Sequence, residues 1–158
     1  MKNIIIRKAK IKDLDKLIGL FLELCEYMTE IDPSYRLSKN KKGVVLKYLR
    51  RFIYVGYRNI FVAEKDGELV GFMTAMVVKN SPLFLEKNFG LISEAYVIEK
   101  MRKKNINHLM LEATLDWFKK QNIKRIELNV LPGNKLGMKV WEKEGFADVL
   151  LRKRKMLK

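Results

Sequence analysis

Apolar residues recur along this chain with two spacings, near two residues and near 3.6, and the switch between them divides the sequence into strands and helices. Residues 4–7 read as a first strand. Leu14, Leu17, Ile18, Phe21, Cys25 and Met28 then share one face of a helix over 13–28, whose start is marked by Lys12-Asp13. Asp32-Pro33 forces a turn within 29–40. Val45, Leu49, Phe52 and Ile53 make a second helix that also carries Lys47, Arg50 and Arg51. Residues 60–64 and 68–78 are strands joined by Lys65-Asp66-Gly67, and Asp-Gly is a preferred pair for a tight hairpin turn. A loop over 79–90 follows.

The stretch 91–117 organises the rest. It begins as a strand apolar on both faces, with Ile92, Tyr96 and Ile98 alternating with Leu91, Ala95 and Val97. It ends as a helix from His108 onward, where Ile106, Leu109, Met110, Ala113 and Trp117 follow helical spacing. Between them lies the basic turn Arg102-Lys103-Lys104-Asn105-Ile106-Asn107. A strand feeding a helix through such a turn aims free backbone N–H groups and the positive end of the helix dipole at one spot, which suits a phosphate. Farther on, Ile126, Leu128 and Val130 alternate with Arg125, Glu127 and Asn129 in a strand over 124–130. Leu131-Pro132-Gly133 breaks it. Asn134 caps a helix containing Leu136, Gly137, Val140 and Trp141 that ends at Gly145. Phe146 opens a last strand or pair, which takes in the alternating run 151–157.

These words, in this order, resemble the GNAT superfamily of acetyl-CoA-dependent N-acetyltransferases along nearly the whole chain. The family's motif A is a strand ending in Val, then Arg/Gln-x-x-Gly-x-Gly/Ala opening a helix. Val97 and Arg102 fall where that pattern wants them, while Asn105 and Asn107 occupy the two glycine positions. The segment 128–146 resembles motif B, with Asn134, Gly137, Trp141, Gly145 and Phe146 in place. Gly71 matches the glycine of the preceding hairpin, and Arg7, Ala9 and Asp13 match frequent residues of the opening. The resemblance implies an α/β (α+β) fold, a GNAT-like mixed, mostly antiparallel twisted sheet of six or seven strands with helices on both faces. It implies acetyl-CoA as cosubstrate and no metal, with a splay beside the motif A strand as cofactor slot. The backbone of Tyr96, Val97 and Ile98 would pair with the pantetheine arm. Arg102, Lys103, Lys104, Asn105, Ile106 and Asn107 would hold the pyrophosphate, and Asn134 and Trp141 would also contact the cofactor. A homodimer is common in such proteins.

The chemistry narrows the catalytic candidates. An alkyl amine has a free pKa near ~10 and must lose a proton before it attacks a thioester. Glu94 and Tyr96 lie two residues apart on the motif A strand, and in the family an acidic residue at the Glu94 position often serves as base, directly or through water. The family's usual general acid is a motif B tyrosine, where this chain has Trp141. An indole N–H donates a hydrogen bond but does not release its proton near neutral pH, which leaves Tyr96 as the acid candidate by position. The aromatics Tyr27, Tyr35, Tyr48, Phe52, Tyr54 and Tyr57 crowd the two-helix region that would cover the acceptor, so a strongly acidic pocket is not expected.

Composition bounds the rest. The 158 residues, 48% of them apolar, suit one domain over 1–158 with a proper core. No apolar run reaches membrane-spanning length and the first residues lack a signal-peptide pattern, so a cytoplasmic protein is expected. The lone Cys25 sits in an apolar helical pattern and reads as a core thiol. The single His108 argues against a histidine metal cluster or a serine triad. A net charge of +15 favours acidic partners. Nucleic acid is compatible with it but not favoured over a lysine-rich solvated surface. Three readings follow: an acetyltransferase acting on a primary amine, a silent domain of the same fold kept as a CoA-sensing or interaction module, and a basic nucleic-acid or ribosome-associated protein.

Overall fold

A computed structural model describes residues 4–157. Strands β1 (Ile4–Lys8), β2 (Arg58–Lys65), β3 (Glu68–Lys79), β4 (Asn88–Val97) and β5 (Ile126–Leu128) lie side by side in that order. The first four are antiparallel neighbours, and β5 runs parallel to β4. Helices α1 (Leu14–Ile31) and α2 (Lys41–Tyr54) cover one face of the sheet, with Leu17, Leu49, Phe52, Val62 and Phe72 in the core between them. Helix α3 (Ile106–Lys120) covers the other, packing Met110, Leu111 and Phe118 on Met73, Ala75 and Ile92. Helix α4 (Lys135–Lys143) adds Trp141 to that second layer. Truncating a fully buried leucine such as Leu49 to alanine would cost about 2–5 kcal/mol.

The local signals explain most of these elements. Asp66 and Gly67 take φ of 52° and 81°, the left-handed pair that matches the twist of a two-residue hairpin. The start of α1 is held by a side-chain fork. Arg7 on β1 donates to both Asp13 carboxylate oxygens at 2.7 and 2.9 Å and to Glu64 of β2 at 2.6 Å, while Lys10 N–H donates to Asp13 at 2.7 Å. The guanidinium holds the buried Asp13 carboxyl below the usual range against the opposing effect of burial. That fork fixes where α1 leaves the sheet, and α1 carries one wall of the site.

Three expectations need correction. The described residues contain five strands rather than six or seven. The final segment 146–157 forms no strand, and Leu151 and Leu157 of its alternating run are 71% and 87% exposed. Alternation makes a strand only where the run pairs with a neighbour, and among the described residues this one pairs with none. The loop is also shorter, because β3 continues to Lys79 and β4 begins at Asn88. Finally, Ile92 does not share a face with Tyr96. It packs with Ala95 and Val97 toward α3, while Tyr96 packs toward α1 and α2. A register shift is the cause: Met73 faces Ala95 but Ala75 faces Ile92, so Ser93 and Glu94 together oppose Thr74. This β-bulge flips the side-chain parity of the strand.

Candidate active site

The bulge and the strand splay meet at one place. β5 pairs with β4 only at Gly90, Leu91 and Ile92, so beyond Ile92 the two strands part and β4 keeps a free edge. Ile98 N–H donates to Val70 O at 3.0 Å and its carbonyl accepts from Met101 N–H at 2.9 Å, while Tyr96 faces Phe72 in the same ladder, so neither turns its backbone groups to the gap. By antiparallel alternation, Val97 and Ala95 turn theirs toward the gap. Of the three residues expected to line a pantetheine arm, Val97 therefore offers its backbone and Tyr96 and Ile98 do not. The Val97 carbonyl accepts a hydrogen bond from Arg102 Nε at 3.2 Å.

The bulge carries Glu94 onto the α1/α2 face. Its carboxylate accepts from the Tyr48 hydroxyl at 2.8 and 2.9 Å and from Thr74 Oγ1 at 2.5 Å, while Glu94 N–H donates to the same Thr74 oxygen at 3.0 Å. Burial pushes the Glu94 carboxyl up from its ordinary value, and the Thr74 and Tyr48 hydrogen bonds pull against that rise. Burial and the neighbouring carboxylate push the Tyr48 hydroxyl up as well, so it stays a donor. Aromatic rings enclose the pair: Tyr48 meets Phe21 edge-on at 5.5 Å and Phe52 at 5.0 Å, and Phe21 stacks on Phe72 at 5.8 Å. A carboxylate in such a wall is costly to ionise and correspondingly eager for a proton.

At the mouth, the Tyr96 hydroxyl donates to Glu23 Oε2 at 3.1 Å, and burial, followed by that carboxylate, raises its pKa. It is thereby a poorer proton donor than a free phenol. Arg102 lies over the rings of Tyr27 and Tyr96, at 5.5 and 5.9 Å from their centroids. Tyr27 in turn donates to Asn134 Oδ1 at 3.0 Å, an oxygen that also caps α4 through Gly137 N–H at 2.9 Å. An open groove of about 520 Å3 adjoins this mouth, lined by Glu23, Ile98, Glu99 and Lys100. The region is thus richer in carboxylates than its aromatic and basic helices suggested, because α1 sets an exposed Glu23 at the mouth and the bulge supplies Glu94.

The basic turn takes left-handed backbone at one of its two asparagines and at one lysine. Asn105 takes φ 60° and ψ 13°, the left-handed region in which asparagine is the least strained side chain after glycine, and Lys103 also has φ 61°. Asn105 makes no side-chain cap on α3, which begins at Ile106 rather than His108. Asn107 lies inside the first turn of that helix, and its Nδ2 is enclosed without a partner among the described residues. Lys104 is exposed, its ammonium 3.6 Å from Met101 Sδ.

The remaining candidates have structural employment. His108 Nδ1 lies 2.8 Å from Glu144 Oε2, tying the start of α3 to the end of α4, and this hydrogen bond raises the imidazole pKa. Trp141 is partly buried against Phe146, edge to face at 5.5 Å. Cys25 is half-buried on α1, its thiol pushed up by burial and by Glu94 and Glu26 nearby. No cluster of three or more potential metal ligands occurs among the described residues. Sequence reasoning missed Tyr48 as the partner of Glu94, and also Thr74 and Glu23. A tyrosine in an amphipathic helix reads as core, and nothing in the spacing shows that it crosses to β4.

A model described as the Acetyltransferase (GNAT) family matches residues 23–146, from the middle of α1 to the turn after α4. The chain belongs to that family. Solved structures agree in fold. The BH1408 protein from Bacillus halodurans, as a tetramutant, is 19% identical with a TM-score of 0.87, covering 97% of this chain and 99% of its own. A predicted acetyltransferase from Clostridium acetobutylicum, solved with acetyl-CoA, is 22% identical with a TM-score of 0.77 and covers 96% of each chain. Aminoglycoside N-acetyltransferase AAC(6')-Iy in complex with CoA is 17% identical with a TM-score of 0.73, covering 96% of this chain and 95% of its own. No curated protein matches the sequence. Among the described residues of this GNAT-family chain, no helix is long and apolar enough to cross a membrane.

Proposed function

We propose that the protein is an N-acetyltransferase that moves an acetyl group from acetyl-CoA to the primary amine of a small-molecule acceptor, with Glu94 as the base. The observation that carries the reading is the Glu94 carboxylate, turned by the bulge onto the acceptor face beside the point where β4 loses its neighbour. Cofactor fit rests on three features of this chain. The turn at Asn105 already has the left-handed backbone that a close-approaching phosphate needs. The enclosed Asn107 Nδ2 lacks an acceptor that a phosphate oxygen would supply. The free β4 edge at Val97 and Ala95 can pair with the amides of a pantetheine arm, which would take the Val97 carbonyl from Arg102.

The chain's own groups then divide the work. Glu94, raised in pKa by burial, accepts the ammonium proton directly or through one water, and Tyr48 and Thr74 hold the resulting arrangement. A backbone N–H on the free β4 edge is a preorganised donor for the oxyanion that forms on the acyl carbon. Tyr96, bonded to Glu23, positions the mouth and does not serve as general acid. The thiolate leaves without one. Carboxylates at Glu23, Glu94 and Glu99 favour a cationic acceptor, and the aminoglycoside acetyltransferases among the structural neighbours act on amines of that kind.

Calorimetric titration with acetyl-CoA, in parallel with a pantetheine thioester lacking the nucleotide, tests the cofactor half. Thiol release on adding amines tests the transfer. Nucleotide-dependent binding followed by amine-dependent release is the expected result, and absence of acetyl-CoA binding at moderate salt would overturn the proposal.

A further inference from the structure

At the opposite end of the sheet from the turn 102–107 lies a separate cavity of about 220 Å3. β2 runs parallel to β4, so Arg58 and Asn59 at its start lie near the first residues of β4 and far from Val97, where the cofactor turn begins. Lys8, Phe52, Ile53, Arg58, Asn59 and Trp117 supply the walls the argument needs. At about 30 Å3 for each water-sized group, the space takes about seven of them.

Its charged lining is one-sided. Lys8 and Arg58 bring two positive charges, and no carboxylate borders the cavity among the described residues. The Arg58 guanidinium is held in place by two rings, 5.2 Å from the Phe52 centroid and 5.4 Å from that of Tyr57. Its Nε is enclosed and has no acceptor among the described residues. Asn59 is only 7% exposed, lines the same cavity, and makes no side-chain hydrogen bond to the described residues. The C-terminus of α2 also brings the carbonyls of its last turn to this end, where Lys8 and Arg58 offset their negative pole, and that of Val55 accepts from Arg58 N–H at 2.9 Å. A buried donor without an acceptor, such as Arg58 Nε, is destabilising and calls for a partner.

We propose that this cavity binds a small oxyanion, a phosphate or a short carboxylate, with Lys8, Arg58 and the Asn59 amide as donors. The anion supplies acceptors for the three donors at once, and its size is set by the walls of Phe52, Ile53 and Trp117. The site lies apart from the turn 102–107, and its Phe52 wall is shared with the aromatic shell of Tyr48, 5.0 Å away.

The test is amide-detected NMR on the full chain at low ionic strength, titrated separately with inorganic phosphate and with butyrate. Saturable shifts at the Asn59 side-chain amide and the Trp117 indole with either anion are the expected result; the anion that binds more tightly identifies the class. Arg58→Met, which keeps the packing on Phe52, should weaken that binding at least tenfold. Lys8→Glu, on an exposed strand end, should weaken it as well and keeps the test decisive if the Arg58 variant does not fold. No saturable shift at Asn59 with either anion, shifts confined to 102–107, or binding indifferent to both substitutions would overturn the site.

Discussion

Removing one oxygen atom tests the proposed base. In Tyr48→Phe the ring keeps its contacts with Phe21 and Phe52, while Glu94 loses the donor that lies 2.8 and 2.9 Å from its two oxygens. A hydrogen bond to a charged group contributes about 1.5–3 kcal/mol. Because that bond favours the ionised form, its loss should raise the proton affinity of Glu94 by about ten- to a hundredfold, at ~1.4 kcal/mol per factor of ten. Thr74 remains as the other donor and limits the change. The assay is kcat/KM for an amine against pH, with acetyl-CoA saturating. Free amine increases with pH equally for both enzymes, so the ratio of variant to wild type cancels the acceptor's own titration. That ratio should fall on the acidic side and recover toward unity as pH rises, the acidic limb having moved upward. A ratio independent of pH would refute the assignment of that limb to Glu94, whatever the size of the loss.

Three further outcomes follow from the same geometry. Burial holds the folded-state pKa of Glu94 above its unfolded value, so the unfolded chain sheds this proton first as pH rises and stability falls through that window. Glu94→Gln should therefore abolish turnover yet melt at or above wild type at neutral pH, with the difference vanishing below the usual carboxylate range; a lower Tm at every pH would contradict this. At Asn105, with φ of 60°, glycine should leave or tighten coenzyme A affinity, whereas leucine should weaken it and cost about 1–2 kcal/mol of stability. Calorimetry and melting measure both, and equal affinities would count against the turn as a phosphate site. His108 is raised by Glu144, so its contribution to stability is present below the unfolded imidazole value near ~6.5 and lost as pH rises through the folded value. As the only histidine it gives a single NMR titration, which Glu144→Gln should move toward the ordinary value.

Local chemistry made much of this legible in the sequence. Asp66-Gly67 specified the hairpin because two left-handed residues suit that turn whatever surrounds them, and asparagine at 105 signalled a left-handed residue for the same reason. Helix periodicity placed Leu17, Leu49 and Phe52 in the core, and the ordered motif words pointed to the family that the match over 23–146 shows. The failures arose where a residue's environment depends on a partner distant in the chain. Strict alternation put Ile92 beside Tyr96, but pairing with β3 inserts a bulge at Ser93 and Glu94 that turns Ile92 to the other face. The run 151–157 has strand periodicity but pairs with none of the described strands. Tyr48 and Glu94 are 46 positions apart, and only the packing of α2 on the sheet makes them a hydrogen-bonded pair. Sequence alone determined most of the elements and the left-handed hairpin turn, because those follow from backbone preference and side-chain period. The tertiary structure decided which edge stays open, which carboxylate is buried and what touches it, because burial and pairing are properties of the assembled layers.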